Sequence, residues 1–177
     1  YLAKQPLSWG LHSEGNSPHP ISERYLKNMK QKHIEIRKQQ CSLIASASTC
    51  CRRKVGSVIV DSDSNVVVSE GYNGPPRNSD RDLCGGGDCL RDRFKVKSGT
   101  QNDVGCHHAE INAILNATRN GMSTMGKWLF TSCDPCLMCA KAIHHAGIVK
   151  VYAPLQTSIH QEGLNYLEQN EVKVECF

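Results

Sequence analysis

Cys106-His107-His108-Ala109-Glu110 and, further on, Ser132-Cys133-Asp134-Pro135-Cys136-Leu137-Met138-Cys139 are the segments around which the rest of this chain is organised. Cys136 and Cys139 stand at i and i+3, so at about 100° per residue a helix beginning near Pro135 presents both sulfurs on one side. His108, leading a second helix, adds an imidazole, and Cys₂His is a ligand set that zinc uses where a fourth position is kept for water. Zinc brings the pKa of such a water to about 7, and Glu110 is placed to accept the proton and hand it on. The plainer alternative is a closed zinc knot with Cys133, Cys106 or His107 as fourth ligand, in which Glu110 is only an acid that suits a helix N-terminus. The spacing also sets a condition. Residues two apart on a regular helix point about 200° apart, so His108 and Glu110 converge only if His108 lies at the first turn.

At 177 residues the chain has the length of one domain with a single buried core. Charged residues make up 21% of it and the net charge is +4, which favours small anions mildly and is thin for gripping a phosphate backbone, so no nucleic-acid partner is expected. No run approaches the roughly 18 apolar residues of a membrane span, and the first thirty residues lack the charged-then-apolar order of a signal peptide. No membrane association and a cytoplasmic location are therefore expected. Ten cysteines invite a disulfide reading, but Cys-x-x-Cys beside histidine in an intracellular chain points to metal ligation.

Residues 1–21 carry three prolines and two glycines without periodicity and read as an N-terminal arm; residues 22–177 read as the folded domain. With Ser22 as N-cap, Glu23 to about Ala47 reads as a helix with its inward positions at Tyr25, Leu26, Met29, His33, Ile36, Leu43 and Ile44, His33 being a boundary residue and not a ligand. Val55–Val60 and Val66–Val68 flank the turn-forming Asp61-Ser-Asp-Ser-Asn65 and make an antiparallel hairpin. Gly71-Tyr72-Asn73-Gly74-Pro75-Pro76 reads as a rigid loop at a strand end, with Asn73 either facing a ligand or serving as a left-handed turn residue. Residues 77–105 form a loop long enough to need a fastener. Cys84, Cys89 and Cys106, joined by Cys50 or His107, are candidates for a second zinc there, the alternative being free thiols in a lid.

Ile111, Ile114, Leu115 and Thr118 then mark a helix stopped at Asn120-Gly121. A strand at Lys127–Thr131 leads into a second ligand-bearing helix with Met138, Ala142 and Ile143 inward, ending at Gly147, where His144 and His145 suit the helix dipole. Ile148–Tyr152 reads as a strand, Ser158–Gln169 as a helix and Val172–Val174 as a last strand. The order predicts a three-layer α/β/α fold with a mixed sheet of about five strands. Ligands at two helix N-termini make sense electrostatically, since the dipole favours Cys136 as thiolate.

The pairing of H-x-E with P-C-x-x-C is similar to the signature of zinc-dependent nucleobase deaminases. With Cys50-Cys-Arg-Arg-Lys-Val-Gly-Ser-Val-Ile-Val60, Gly71-Tyr-Asn-Gly74, His108-Ala-Glu-Ile-Asn-Ala-Ile114 and Pro135-Cys136-x-x-Cys139-Ala-Lys-Ala-Ile143, the chain resembles the deoxycytidylate (dCMP) deaminase family of the cytidine deaminase superfamily. The resemblance spans about Leu43 to Phe177 and implies a cytidine-deaminase-like fold, zinc on His108, Cys136 and Cys139, and Glu110 as proton shuttle. It implies a deoxynucleotide substrate, with attack at C4 of cytosine and release of ammonia; Asn73 would meet the sugar, and the backbone at Ala109 and Ser132 the base edge. Arg119-Asn120-Gly121 resembles the segment that couples regulation to the active site in allosteric members, which are hexamers activated by dCTP with Mg²⁺ and inhibited by dTTP. Some members carry a second zinc with ligands where Cys50 and Cys106 stand. Two departures are noted. Asp134 before Pro135-Cys136 looks more like purine-base and tRNA adenosine deaminases. No basic cluster stands out as a 5′-phosphate site, Arg52, Arg53 and Lys54 being candidates by charge, with a solvated face as the alternative.

Overall fold

The computed structural model describes residues 29–79, 89–97, 100, 104–155 and 160–177. The expected N-terminal arm lies outside the described residues, and so does the stretch containing Cys84. The chain runs α1 (Gln31–Ser46), β1 (Gly56–Asp61), β2 (Val66–Tyr72), α2 (Leu90–Arg93), α3 (Ala109–Arg119), β3 (Trp128–Thr131), α4 (Leu137–His145), β4 (Lys150–Ala153), α5 (Gln161–Gln169) and β5 (Lys173–Cys176). The five strands form one sheet in the order β2-β1-β3-β4-β5. β1 pairs antiparallel with both β2 and β3, and β3, β4 and β5 are mutually parallel. This is the mixed sheet expected, because a four-residue turn permits an antiparallel hairpin whereas the helices α4 and α5 force parallel crossovers.

Alternation along the strands divides the core into two layers. Val58, Val60, Trp128, Phe130 and Tyr152 face α1, meeting Ile34 and Cys41. Ile59, Leu129 and Val151 face the other way, meeting Ala113 of α3, Ala140 and Ile143 of α4, and Leu167 of α5. The hairpin turn is built as its composition dictates: Asp61 Oδ1 accepts from the N–H groups of Asp63 and Ser64, and Asn65 takes a positive φ of 55°.

Several helix faces differ from expectation. Residues 22–28 lie outside the described ones, but Met29 and Lys30 are not helical, and Lys30 is the extended N-cap (ψ 138°) whose carbonyl accepts from His33 and Ile34. The inward face of α1 is Ile34, Cys41 and Ala45, whereas Ile36 and Leu43 are exposed. Ile36 stands two residues from Ile34, about 200° round the helix. In α3 the buried stripe is Ala109, Ala113 and Ala117, while Leu115 and Thr118 are exposed. In α4, Met138 is exposed, and Cys139, Ala140 and Ile143 are buried. Bulky residues lost the inward positions to small ones because these helices lie close on the sheet. A Cβ at Gly71 of β2 would stand 2.4 Å from the Ala113 nitrogen and 2.6 Å from the Ala109 carbonyl oxygen.

Candidate active site

The start of β1 and the ends of β2 and β3 lie together at one edge of the sheet, and the segments leaving them build the site. Ser132 is stapled to Gly56 twice: its N–H donates to the Gly56 carbonyl (3.0 Å), and its hydroxyl accepts the Gly56 N–H (3.0 Å). Gly74 and His107 exchange both backbone hydrogen bonds (3.1 and 2.9 Å), which anchors the residue before His108 to the loop after β2. α3 is fastened to that same strand by its own polar side chains. Asn112 Nδ2 donates to the Tyr72 carbonyl (2.7 Å), Asn116 Nδ2 to the Glu70 carbonyl (2.9 Å), and Ser69 Oγ to the Ala113 carbonyl (2.8 Å). β2 is an edge strand, and these amides satisfy carbonyls that would otherwise be open for pairing. The i, i+4 spacing of Asn112 and Asn116 was the signal for this, legible only once the edge strand is known.

His108 is the N-cap of α3 and is extended (φ −73°, ψ 159°), and Cys136 is the N-cap of α4 with the same geometry (φ −70°, ψ 167°). The condition on His108 and Glu110 is therefore met, since His108 stands just outside the helix and is not bound to its 100° step. Two helix N-termini point their positive ends at one place. There His108 Nδ1 lies 3.4 Å from Cys136 Sγ and 3.3 Å from Cys139 Sγ. Bonds of about 2.1 Å to nitrogen and 2.3 Å to sulfur at tetrahedral angles put such atoms about 3.6 Å apart, so the three donors fit zinc.

Among the described residues these three alone lie within 4.8 Å of one another here; Cys133, Cys106 and His107 do not join them. The closed knot is thereby overturned. Cys133 Sγ is turned to the Asp134 carbonyl (3.6 Å), and His107 Nδ1 lies 3.3 Å from Asn112 Oδ1. The Cys136 thiol is brought down to about 3, first by its hydrogen bond with Cys139 and further by His108, against the opposing effect of burial. Cys139 is correspondingly pushed up, so the pair favours one thiolate, at Cys136. Glu110, 3% exposed in the first turn of α3, is raised to about 7 by burial, with His108 opposing. A carboxyl that is nearly as ready to hold a proton as to release it at neutral pH is suited to moving one.

The other expected residues fall as follows. Asn73 is buried and is not left-handed. Its Oδ1 accepts the Val55 N–H (2.7 Å) and its Nδ2 donates to the Arg53 carbonyl (2.8 Å), so it clamps the entry to β1 at the rim of the site. Ala109 is the first residue of α3, where N–H groups have no intrahelical acceptor. Arg119 is exposed in the last turn of α3, ten residues, or about 15 Å, along the helix from Ala109. Asp134 is 2% exposed and accepts the Leu155 N–H on Oδ1 (2.7 Å), holding a residue with φ 52°. Its carboxylate thus fastens the loop after β4 to the segment before Pro135.

Among the described residues a second group of possible donors forms, and it differs from the expected set. Cys51, Cys89 and Asp92 have donor atoms within 4.8 Å of one another, and of the set expected only Cys89 takes part. The Cys50 N–H donates to Ser48 Oγ (3.2 Å), and it is the next side chain along, Cys51, that joins Cys89 and Asp92. Cys106 and His107 are not in the group, and Cys84 lies outside the described residues.

Residues 30–154 match the family described as the cytidine and deoxycytidylate deaminase zinc-binding region. The chain belongs to that deaminase family. A deoxycytidylate deaminase of Schizosaccharomyces pombe is 38% identical over 116 residues, covering 64% of this chain and 34% of its own length. One from Enterobacteria phage T2 is 33% identical over 141 residues, covering 62% of this chain and 72% of its own length. The chain thus spans about a third of the yeast deaminase and under three quarters of the phage one. The crystal structure of the dCMP deaminase from cyanophage S-TIM5 in complex with dCMP and dUMP superposes with a TM-score of 0.69 at 29% identity, over 85% of this chain and all of that one. Among the described residues no helix is long and apolar enough to cross a membrane.

α5 is packed closely against the turn that begins α4. A Cβ on Gly163 would stand 2.1 Å from the Pro135 carbonyl oxygen and 2.8 Å from the Cys136 carbonyl carbon. Gly163→Ala is expected to cost about 1–3 kcal/mol through backbone displacement and to weaken zinc retention. A thermal melt and a metal count on dialysed protein check both.

Proposed function

We propose that this chain hydrolyses deoxycytidylate to deoxyuridylate and ammonia, a step supplying the precursor of thymidylate. The observation that carries the reading is a three-donor Cys₂His group with the buried Glu110 carboxyl beside it, at the mouth of a fold shared with an enzyme crystallised with dCMP and dUMP. His108, Cys136 and Cys139 would hold the zinc. Zinc in such a site supplies a nucleophile from water at neutral pH. Glu110 accepts the proton that the attacking water loses and passes it to N3 of the cytosine as C4 becomes tetrahedral, then takes the remaining proton of the new C4 hydroxyl and gives it to the departing amine as the carbonyl forms. Burial of Glu110 keeps solvent from competing for that proton. Ala109 offers its N–H to the base edge; the Ser132 N–H is already spent on Gly56, so its carbonyl is the group left for the exocyclic amine. Asn73 sets the level of the sugar by fixing residues 53 to 55.

A structural zinc on Cys51, Cys89 and Asp92 belongs to the same reading, supported by donors of the right type at a spacing that would fasten the start of β1 to α2. Assembly into a homo-oligomer, regulation by dCTP with Mg²⁺ and by dTTP with Arg119 as relay, and a cytoplasmic setting complete it by kinship with the family. The test is direct. Purified protein with dCMP should lose cytosine absorbance and release ammonia while guanine and a tRNA stem-loop are inert, and should carry about two zinc ions per chain. Turnover of guanine or the stem-loop with dCMP inert would overturn the reading.

A further inference from the structure

His107, immediately before the ligand His108, is held through its main chain and its ring. Its N–H and carbonyl exchange hydrogen bonds with Gly74 (2.9 and 3.1 Å), and its ring Nδ1 lies 3.3 Å from Asn112 Oδ1, at the end of the first turn of α3. The other end of the Asn112 amide decides how that last contact is made. Asn112 Nδ2 stands 2.7 Å from the Tyr72 carbonyl, which can only accept, so the NH₂ group faces β2 and the oxygen faces His107. His107 Nδ1 therefore carries the hydrogen and donates it. The amide spans the gap because α3 lies close on β2: a Cβ at Gly71 would stand 2.8 Å from the Asn112 carbonyl carbon.

We infer that Asn112 is a positioning residue for the reaction: acting through His107, it holds His108 where the imidazole meets both thiols, and it ties that ligand to the loop carrying Asn73. The inference rests on the proposed function of this site and deepens it. His108 is an extended N-cap (ψ 159°), so the helix does not fix its direction, and yet its Nδ1 stands 3.4 and 3.3 Å from the two sulfurs. Asn112 is rooted in the helix and grips both residues that lead into it. Its main-chain N–H donates to the His108 carbonyl (3.0 Å), and its side-chain oxygen takes the His107 ring. On the far side of the bracket, Gly74 follows Asn73, whose side chain clamps Arg53 and Val55 and whose carbonyl accepts from Ser48 Oγ (2.6 Å). Groups that orient a metal ligand from outside it typically cost about 10- to 100-fold in metal affinity or activity when they are lost.

Asn116 supplies the contrast. One turn further along α3 its Nδ2 makes the same kind of bond to β2, at the Glu70 carbonyl (2.9 Å), but its Oδ1 accepts from Arg77 Nη2 (3.4 Å) and touches nothing beside the metal ligands. Asn116 fastens the edge strand, whereas Asn112 fastens the edge strand and the segment before His108 together.

The experiment measures dCMP turnover, zinc affinity by competition with a chelator, and the visible spectrum of the cobalt(II)-substituted protein. The proteins are the wild type, Asn112→Ala, Asn112→Asp, His107→Ala, the double variant of Asn112→Ala with His107→Ala, and Asn116→Ala. In Asn112→Ala, kcat is expected to fall and the zinc Kd to rise about 10-fold, with KM within about twofold. The cobalt bands, which report ligand geometry, should shift. Asn112→Asp keeps an oxygen for His107 and gives up the bond to Tyr72, so it should recover most of kcat and the wild-type spectrum while melting lower. His107→Ala should repeat the loss, and the double variant should be no more than about twofold worse than either single one. Asn116→Ala should melt lower with zinc affinity, spectrum and kcat unchanged. The inference is overturned if Asn112→Ala keeps the wild-type zinc affinity and spectrum, if Asn116→Ala loses them equally, or if the two single losses multiply in the double variant. His107→Ala retains the Tyr72 bond and carries the test should Asn112→Ala fail to fold; wild-type zinc affinity in it overturns the inference. Failure of the wild type to act on dCMP overturns the function and not this inference, which zinc affinity and the cobalt spectrum still decide.

Discussion

Glu110→Gln should lower kcat for dCMP by about 10²–10⁴ while the protein keeps its metal and its fold. The amide has the shape of the acid but cannot carry a proton between water, ring nitrogen and leaving amine. Glu110 is 3% exposed, and its acid is pushed up to about 7 chiefly by burial, so replacing it with a neutral isostere removes no charge that the fold depends on at neutral pH. Stability should therefore stay within about 1 kcal/mol of the wild type. Ultraviolet absorbance of the substrate, a thermal melt and a metal count measure the three quantities on one preparation. A variant that retains turnover would show that the carboxyl is only an acid at a helix N-terminus, and the enzymatic reading would end there.

Cys139→Ser is expected to abolish turnover by the opposite route, through loss of the metal. Cys139 is fully buried in the first turn of α4, 3.3 Å from His108 Nδ1, and shares its proton with Cys136. A serine hydroxyl is a hard, protonated and poor partner for zinc beside one thiolate. Metal content should drop by about one ion per chain, and the melting temperature should fall because a ligand of the native state alone is gone. The two variants are informative as a pair: equal loss of activity, with the metal kept in one and lost in the other.

Much of the site could be read from residue spacing, and where the reading missed, the cause was packing. Cys136 and Cys139 at i, i+3 had to share a face whatever the rest of the chain did. His108 two residues before Glu110 was legible as a ligand with an acid beside it, but not as an extended N-cap, because a cap is defined by the turn it ends and not by its own identity. The inward stripes of α1, α3 and α4 were read toward the larger side chains, at Ile36, Leu43, Leu115 and Met138, and each is exposed. Closely laid helices choose alanine and glycine at the contact, a choice that hydrophobicity does not rank first. The structural task of Asp134 was hidden for a similar reason: its carboxylate accepts the N–H of Leu155, twenty-one residues away.

From the chain alone came the five-strand α/β plan and the motif pair that marks the deaminase family, since both rest on local periodicity and on ligands a few residues apart. Only the folded molecule decided that Cys51 and not Cys50 meets Cys89 and Asp92, and that Cys133 is turned from the three donors. Each of those outcomes depends on which of two neighbouring side chains points inward. That is set by long-range hydrogen bonds such as the Asn73 clamp, and those bonds have no counterpart in the order of residues.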